Sequence, residues 1–73
     1  MPRLPKIGSD KIIKILLHSG FYVYHQRGSH INFRHETKTH LRVVVPSSRR
    51  ELAPKTLKSI MAQSELTAED LKD

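Results

Sequence analysis

Apolar side chains along this chain change their spacing twice, and that change limits the folds open to it. Ile12, Ile13, Leu16 and Leu17 lie three and four residues apart, on one face of a helix. From Phe21 to Val45 the apolar residues recur largely at alternate positions, the period of strands with one buried side. Leu57, Ile60 and Met61 return to helical spacing. The order is helix, strands, helix. With 73 residues the chain makes one domain, 1–73, and such a domain hides only about 60% of the surface its unfolded chain exposes.

Local punctuation sets the boundaries. Ser9 is expected to cap a helix running from Asp10 to about His18, with Asp10 complementing the helix dipole and Ser19-Gly20 supplying the stop. Phe21 to Gln26, rich in aromatic and β-branched residues, reads as a first strand, and Arg27-Gly28-Ser29 as a turn. His30 to Arg34 alternates strictly, with Ile31 and Phe33 on one side and His30, Asn32 and Arg34 on the other. After a polar turn near Glu36 to Thr39, His40 to Val45 repeats the pattern, with His40 and Arg42 outward, and Pro46 ends the strand. Pro54 suits the first turn of a second helix reaching about Gln63. Thr67-Ala68-Glu69-Asp70 is a variant capping box opening a short helix near 68–72 that packs through Leu71.

The expected fold is therefore α+β: an α-β-β-β-α order, a three-stranded antiparallel sheet, and two main helices on one sheet face. Phe21, Val23, Ile31, Phe33, Leu41, Val43 and Val45 are expected to meet Ile12, Ile13, Leu16, Leu17, Leu57, Ile60 and Met61 in one core. Tyr22, Tyr24, His30, Asn32, Arg34, His40 and Arg42 remain for the open face.

Thirteen Lys and Arg against seven Asp and Glu give a net charge of +6, which calls for an anionic partner: nucleic acid, an acidic protein or a membrane surface. Between Lys11 and Arg50 only Glu36 is acidic, so the middle of the chain makes the basic surface. With no Cys, disulfides and thiolate metal sites are excluded, and a reducing cytoplasm suits the composition. The N-terminus, Met1-Pro2-Arg3-Leu4-Pro5-Lys6, lacks a long apolar stretch, so a soluble, unprocessed chain without a membrane segment is expected.

Among the chemistries such a surface allows, RNA cleavage asks least of the protein. The ribose 2′-hydroxyl attacks the adjacent phosphate once a base takes its proton and cations stabilise the added charge. Imidazole titrates near neutrality, and His30 follows a glycine turn that admits a close backbone. It shares its expected face with Arg34 and Arg42. The plainer account makes His30 a polar residue at the start of a half-exposed strand. Tyr22 and Tyr24 suit stacking on unpaired bases, or ordinary cross-strand pairing. Arg49 with Arg50, and Lys55 with Lys58, suit phosphate contacts, or a solvated face.

The histidines at 25, 30, 35 and 40 are spaced by five, an odd interval that reverses sides along a regular strand; no metal site or cofactor is expected. His18 fits a helix C-terminus, where a protonated imidazole is favoured. Neither a nucleophile elbow beside Ser29 nor a phosphate-cradling glycine loop is present, and Glu36 stands alone in the central region, without the clustered carboxylates that a polymerase-like metal site needs.

These residues also carry a resemblance. Leu4-Pro5-Lys6, the Ile/Leu-rich helix, Ser19-Gly20-Phe21, Gln26-Arg27-Gly28-Ser29-His30, Val43-Val44-Val45-Pro46, Thr56-Leu57-Lys58-Ser59-Ile60 and Leu66-Thr67-Ala68-Glu69-Asp70, in that order, resemble the HicA family of toxin–antitoxin RNA endonucleases. The resemblance implies a fold like a double-stranded-RNA-binding domain, cleavage of mRNA, and neutralisation by a HicB-type antitoxin. It maps His30 onto the family's catalytic histidine, with Gly28 and Ser29 in the motif beside the substrate. Two departures stand out: Ser47-Ser48-Arg49 follows Pro46 where relatives often carry another His, and Pro54-Lys55 precedes Thr56 where Gly is common. The rival readings are a noncatalytic RNA-binding module of the same fold and a domain that offers its basic face to an acidic protein.

Overall fold

The structure, a computed structural model, describes residues 4–71. Met1, Pro2 and Arg3 of the N-terminal reading, Lys72 of the helix expected over 68–72, and the terminal Asp73 lie outside the described residues. Helix α1 (Ser9–His18) is followed by β1 (Phe21–Arg27), β2 (His30–His35) and β3 (Arg42–Pro46), then by α2 (Pro54–Ser64) and a 3-10 turn (Ala68–Leu71). The strands form one antiparallel sheet in the order β1-β2-β3. The α-β-β-β-α order and α+β class are those expected.

Both helices cover the same sheet face. Ile12 and Leu16 of α1 and Leu57 and Ile60 of α2 join Phe21, Phe33, Val43 and Val45 in one buried cluster, with Ile13, Ile31 and Met61 packed at its margin. Three members were not foreseen in that core or only weakly: Ile7 before α1, Leu52 before α2, and Leu71, which docks the terminal turn at full burial. Thr67 and Asp70 explain why that turn forms. Asp70 Oδ2 accepts from the Thr67 N–H at 2.7 Å and from its hydroxyl at 2.9 Å, and these bonds, the backbone one foremost, hold the carboxyl below its ordinary pKa.

Several expectations are corrected. Ser9 does not cap α1; Gly8 holds the cap position and no side chain caps the helix there. Ser9 is instead buried, with its hydroxyl donating to the Pro46 carbonyl at 2.6 Å and accepting from the Arg49 N–H at 3.0 Å. Leu17 is 47% exposed because the buried stripe of α1 is Ser9, Ile12 and Leu16, and Leu17 stands a residue's turn away from it. Val23 lies opposite Phe33 but is 51% exposed, since burial on the edge strand β1 stops after Phe21. Arg27 belongs to β1 rather than to the turn, and β3 begins at Arg42, not His40.

The segment before α1 runs against the chain that leaves β3. The Ser9 N–H donates to Arg49 O at 2.9 Å and the Leu52 N–H to Ile7 O at 2.8 Å. A Cβ on Gly8 would lie 2.3 Å from the Arg50 carbonyl oxygen, so only glycine allows this approach. At the other end of the sheet, His35 bridges elements: its Nε2 donates to Ser19 O at 2.8 Å, and its Nδ1 accepts from the Lys38 N–H at 3.0 Å. Its ring also meets Phe21 edge-on at 4.8 Å.

Candidate active site on the open sheet face

Alternation sends half of each strand's side chains away from the helices, and among the described elements none covers that face. The open face holds a cleft of about 600 Å³ lined by His25, Arg27, His30, Asn32, Arg34 and Arg42 together with Tyr24, Phe33 and Val44. Two histidines and three arginines line it, and no carboxylate does. The lining can therefore bind an anion and move protons at imidazole, the two tasks that attack on a phosphodiester requires.

The hairpin turn fixes the first residues of the site. Only Gly28 and Ser29 separate β1 from β2, and Gly28 has φ +58° while Ser29 is not left-handed, the φ pattern of a type II′ turn. No atom lies within 4 Å of where a Gly28 Cβ would stand, so the backbone there is open to an approaching chain. The Ser47 N–H donates to Ser29 O at 2.7 Å, tying the turn to the end of β3. This tight turn sets Arg27 directly opposite His30. His30 in turn pairs with Pro46, Asn32 with Val44, and Arg34 with Arg42.

A second feature shapes the β1 side. Val23 pairs with Phe33 and His25 with Asn32, so Tyr24 is an extra residue, a β-bulge. Regular alternation from Phe21 would turn His25 toward the helices; the bulge brings it to the open face, and both Tyr24 and His25 line the cleft. Arg34 extends over the Tyr24 ring with its Cζ 4.0 Å from the centroid, which orients the guanidinium and limits Tyr24 as a free stacking platform.

Of the residues expected in the site, His30, Arg34, Arg42 and Tyr24 come together in the cleft, whereas Gly28 and Ser29 form the hairpin turn between β1 and β2 and do not line it. Tyr22 is exposed opposite Arg34 but does not line the cleft. Arg49 and Arg50 are exposed in the loop after β3, where their backbones meet Gly8 and Ser9. Lys55 and Lys58 are exposed on α2, the helix packed against the other side of the sheet. His40, expected on the open face, instead lies in the turn before β3, with Nε2 3.9 Å from the Glu65 carboxylate.

His25 and Arg27 are the polar lining residues that reasoning from the sequence missed. The signal was present. Counting back from the two-residue turn puts Arg27 and His25 on the His30 side, whereas counting forward from Phe21 puts them on the other. That conflict marks one extra residue in β1. The odd-interval argument for the histidines fails for the same reason, because His25 and His30 sit on different strands of a hairpin. Among the described residues no group of three or more His, Cys, Asp or Glu is placed to hold a metal ion. No helix among them is long and apolar enough to cross a membrane.

Comparison with known families matches residues 9–66, from the start of α1 to just beyond α2, to the HicA toxin of bacterial toxin–antitoxin systems. No curated protein matches the chain.

Proposed function

The chain belongs to the HicA toxin family of bacterial toxin–antitoxin systems, and on that premise we propose that it is an endoribonuclease that cleaves mRNA in the cleft of the open sheet face. His30 takes the proton of the ribose 2′-hydroxyl, the freed oxygen attacks the neighbouring phosphorus, and Arg34 and Arg42 stabilise the charge that accumulates on the phosphate. The observation that carries this reading is the composition of the cleft: His30 among arginines, with no carboxylate in the lining.

Membership of a toxin–antitoxin family implies an antitoxin partner. A HicB-type protein that covers the cleft with acidic groups would block RNA and match the basic lining in one step. Arg49, Arg50, Lys55 and Lys58, exposed outside the cleft, serve as phosphate contacts along a longer RNA.

Incubating the purified chain with a defined RNA and mapping the new ends tests the reading. Attack by the 2′-hydroxyl leaves a 2′,3′-cyclic phosphate and a 5′-hydroxyl, and EDTA should leave the rate unchanged. Ends bearing a 5′-phosphate, or activity restored only by one specific cation, would refute this mechanism. RNA bound without turnover would favour the noncatalytic module.

A further inference from the structure

Four residues form a rectangle on the open face. His25 is the register partner of Asn32 and Arg27 that of His30, with the two members of each strand two residues apart. The histidines therefore occupy one diagonal, and Arg27 with Asn32 the other. Diagonal neighbours of an antiparallel pair stand about 7–8 Å apart at their backbones, close enough for long side chains to act on one group between them. All four side chains line the same cleft.

In the reaction proposed above, the attacking and departing oxygens lie on opposite sides of the phosphorus, so two proton-transfer groups must flank it rather than sit side by side. His30 meets the first need and leaves the second open, because the 5′-oxygen would depart as a strongly basic alkoxide. The rest of the lining offers little to protonate it. Arginine does not give up its proton in proteins, Asn32 has no acidic hydrogen, and the Tyr24 ring lies beneath the Arg34 guanidinium. His25 is the one remaining imidazole in the lining, and imidazole is a side chain chemically able to hand over a proton. It reaches the cleft through the extra residue at Tyr24, the kind of bulge that re-aims a side chain beside a site.

We propose that His25 is the general acid of this reaction, an inference that rests on the ribonuclease reading. The 2′-oxygen to phosphorus bond forms as His30 accepts the 2′-hydroxyl proton. The phosphorus to 5′-oxygen bond breaks as protonated His25 gives its proton to that oxygen. Arg27 and Asn32, on the other diagonal, donate to the non-bridging oxygens. The products are a 2′,3′-cyclic phosphate and a 5′-hydroxyl, no electrons are exchanged with any other species, and the two imidazoles return to their starting forms by proton exchange with water.

A change of leaving group separates an acid from any other role. The full chain, His25→Ala and His30→Ala are compared on two oligonucleotides that differ only at the mapped cleavage site, one with the natural 5′-oxygen and one with a bridging 5′-sulfur, which departs as a thiolate without needing a proton. His25→Ala should cleave the oxygen-linked RNA about 10²- to 10⁴-fold more slowly than wild type and the sulfur-linked RNA at nearly the wild-type rate. His30→Ala should be slow on both. Thermal unfolding confirms that each variant is folded, as the exposure of His25 leads one to expect. Unchanged cleavage of the natural RNA by His25→Ala, or equal loss on both linkages, would overturn the assignment while leaving the ribonuclease reading standing. A wild-type chain that cleaves neither substrate would overturn both.

Discussion

Arg34 and Arg42 stand directly opposite one another across β2 and β3, two cationic side chains in a single register pair, both lining the cleft. Like charges so placed oppose sheet formation, typically by a few tenths of a kcal/mol to about 1 kcal/mol. An anion between them turns the repulsion into binding. Arg42→Gln should therefore raise the melting temperature of the free chain slightly while weakening its hold on RNA. It should also flatten the dependence of log affinity on log salt by about 0.7 to 0.9, the share of one phosphate contact. Thermal scans and RNA titrations at several salt concentrations measure both signs; an unchanged slope would show that Arg42 does not meet phosphate.

His30→Ala should slow RNA cleavage by about 10²- to 10⁴-fold and remove toxicity in cells, with RNA affinity and melting temperature close to wild type. His30 is exposed, so truncation leaves no core cavity. His40→Ala is the matched control for loss of an imidazole, because His40 sits beside Glu65 and outside the cleft. Near-normal cleavage by a folded His30→Ala protein would remove His30 from the chemistry.

Ser9→Ala strips the buried bridge between α1 and the chain leaving β3, and leaves the Pro46 carbonyl and the Arg49 N–H without their partner. The expected loss is about 1–3 kcal/mol of unfolding free energy, read from urea denaturation. A loss below a few tenths would mean that water replaces the hydroxyl at no cost.

Gly20→Ala is expected to destabilise by more than about 1 kcal/mol, since Gly20 has φ +93° and an added Cβ would stand 2.8 Å from His35 Nε2. The same Nε2 donates to Ser19 O, so the substitution strains the backbone and disturbs the bridge together. Urea denaturation beside Gly28→Ala, whose Cβ meets nothing within 4 Å, isolates the steric part.

Asp70 makes the docking of the terminal turn depend on acid. Its carboxyl pKa is lowered in the folded chain, first by the Thr67 N–H and then by the Thr67 hydroxyl. A depressed folded pKa gives stability that is fully present above the ordinary carboxylate value and is lost as pH falls through the depressed one. The Leu71 methyl signals should accordingly shift in strong acid before the core resonances do, and Asp70→Asn should abolish that early step. Simultaneous movement of Leu71 and the core would show that the turn does not open separately.

The order of elements, the antiparallel sheet and most of the core follow from the amino-acid pattern alone. Those depend on spacing and on local chemistry that neighbours already decide: Ile12 and Leu16 one helical turn apart, Ile31 and Phe33 alternating, Pro46 unable to extend a ladder, Pro54 suited to a helix start. The pattern also singled out His30, because the glycine turn before it is a local signal. Tertiary structure decided what a single strand does not encode. The bulge at Tyr24 arises because two registers must be met at once, one set by burial of Phe21 against the helices and one by the two-residue turn at Gly28-Ser29; only the extra residue reconciles them, and it brings His25 to the cleft. Ser9 shows the same rule. Its sequence position suits a cap, but the backbone of Pro46 and Arg49, 37 and 40 residues away, arrives against it and takes its hydroxyl for a bond between segments. Partners that meet only when the chain closes leave no mark in local pattern, and so the helix faces and strand order were legible while the second histidine of the cleft was not.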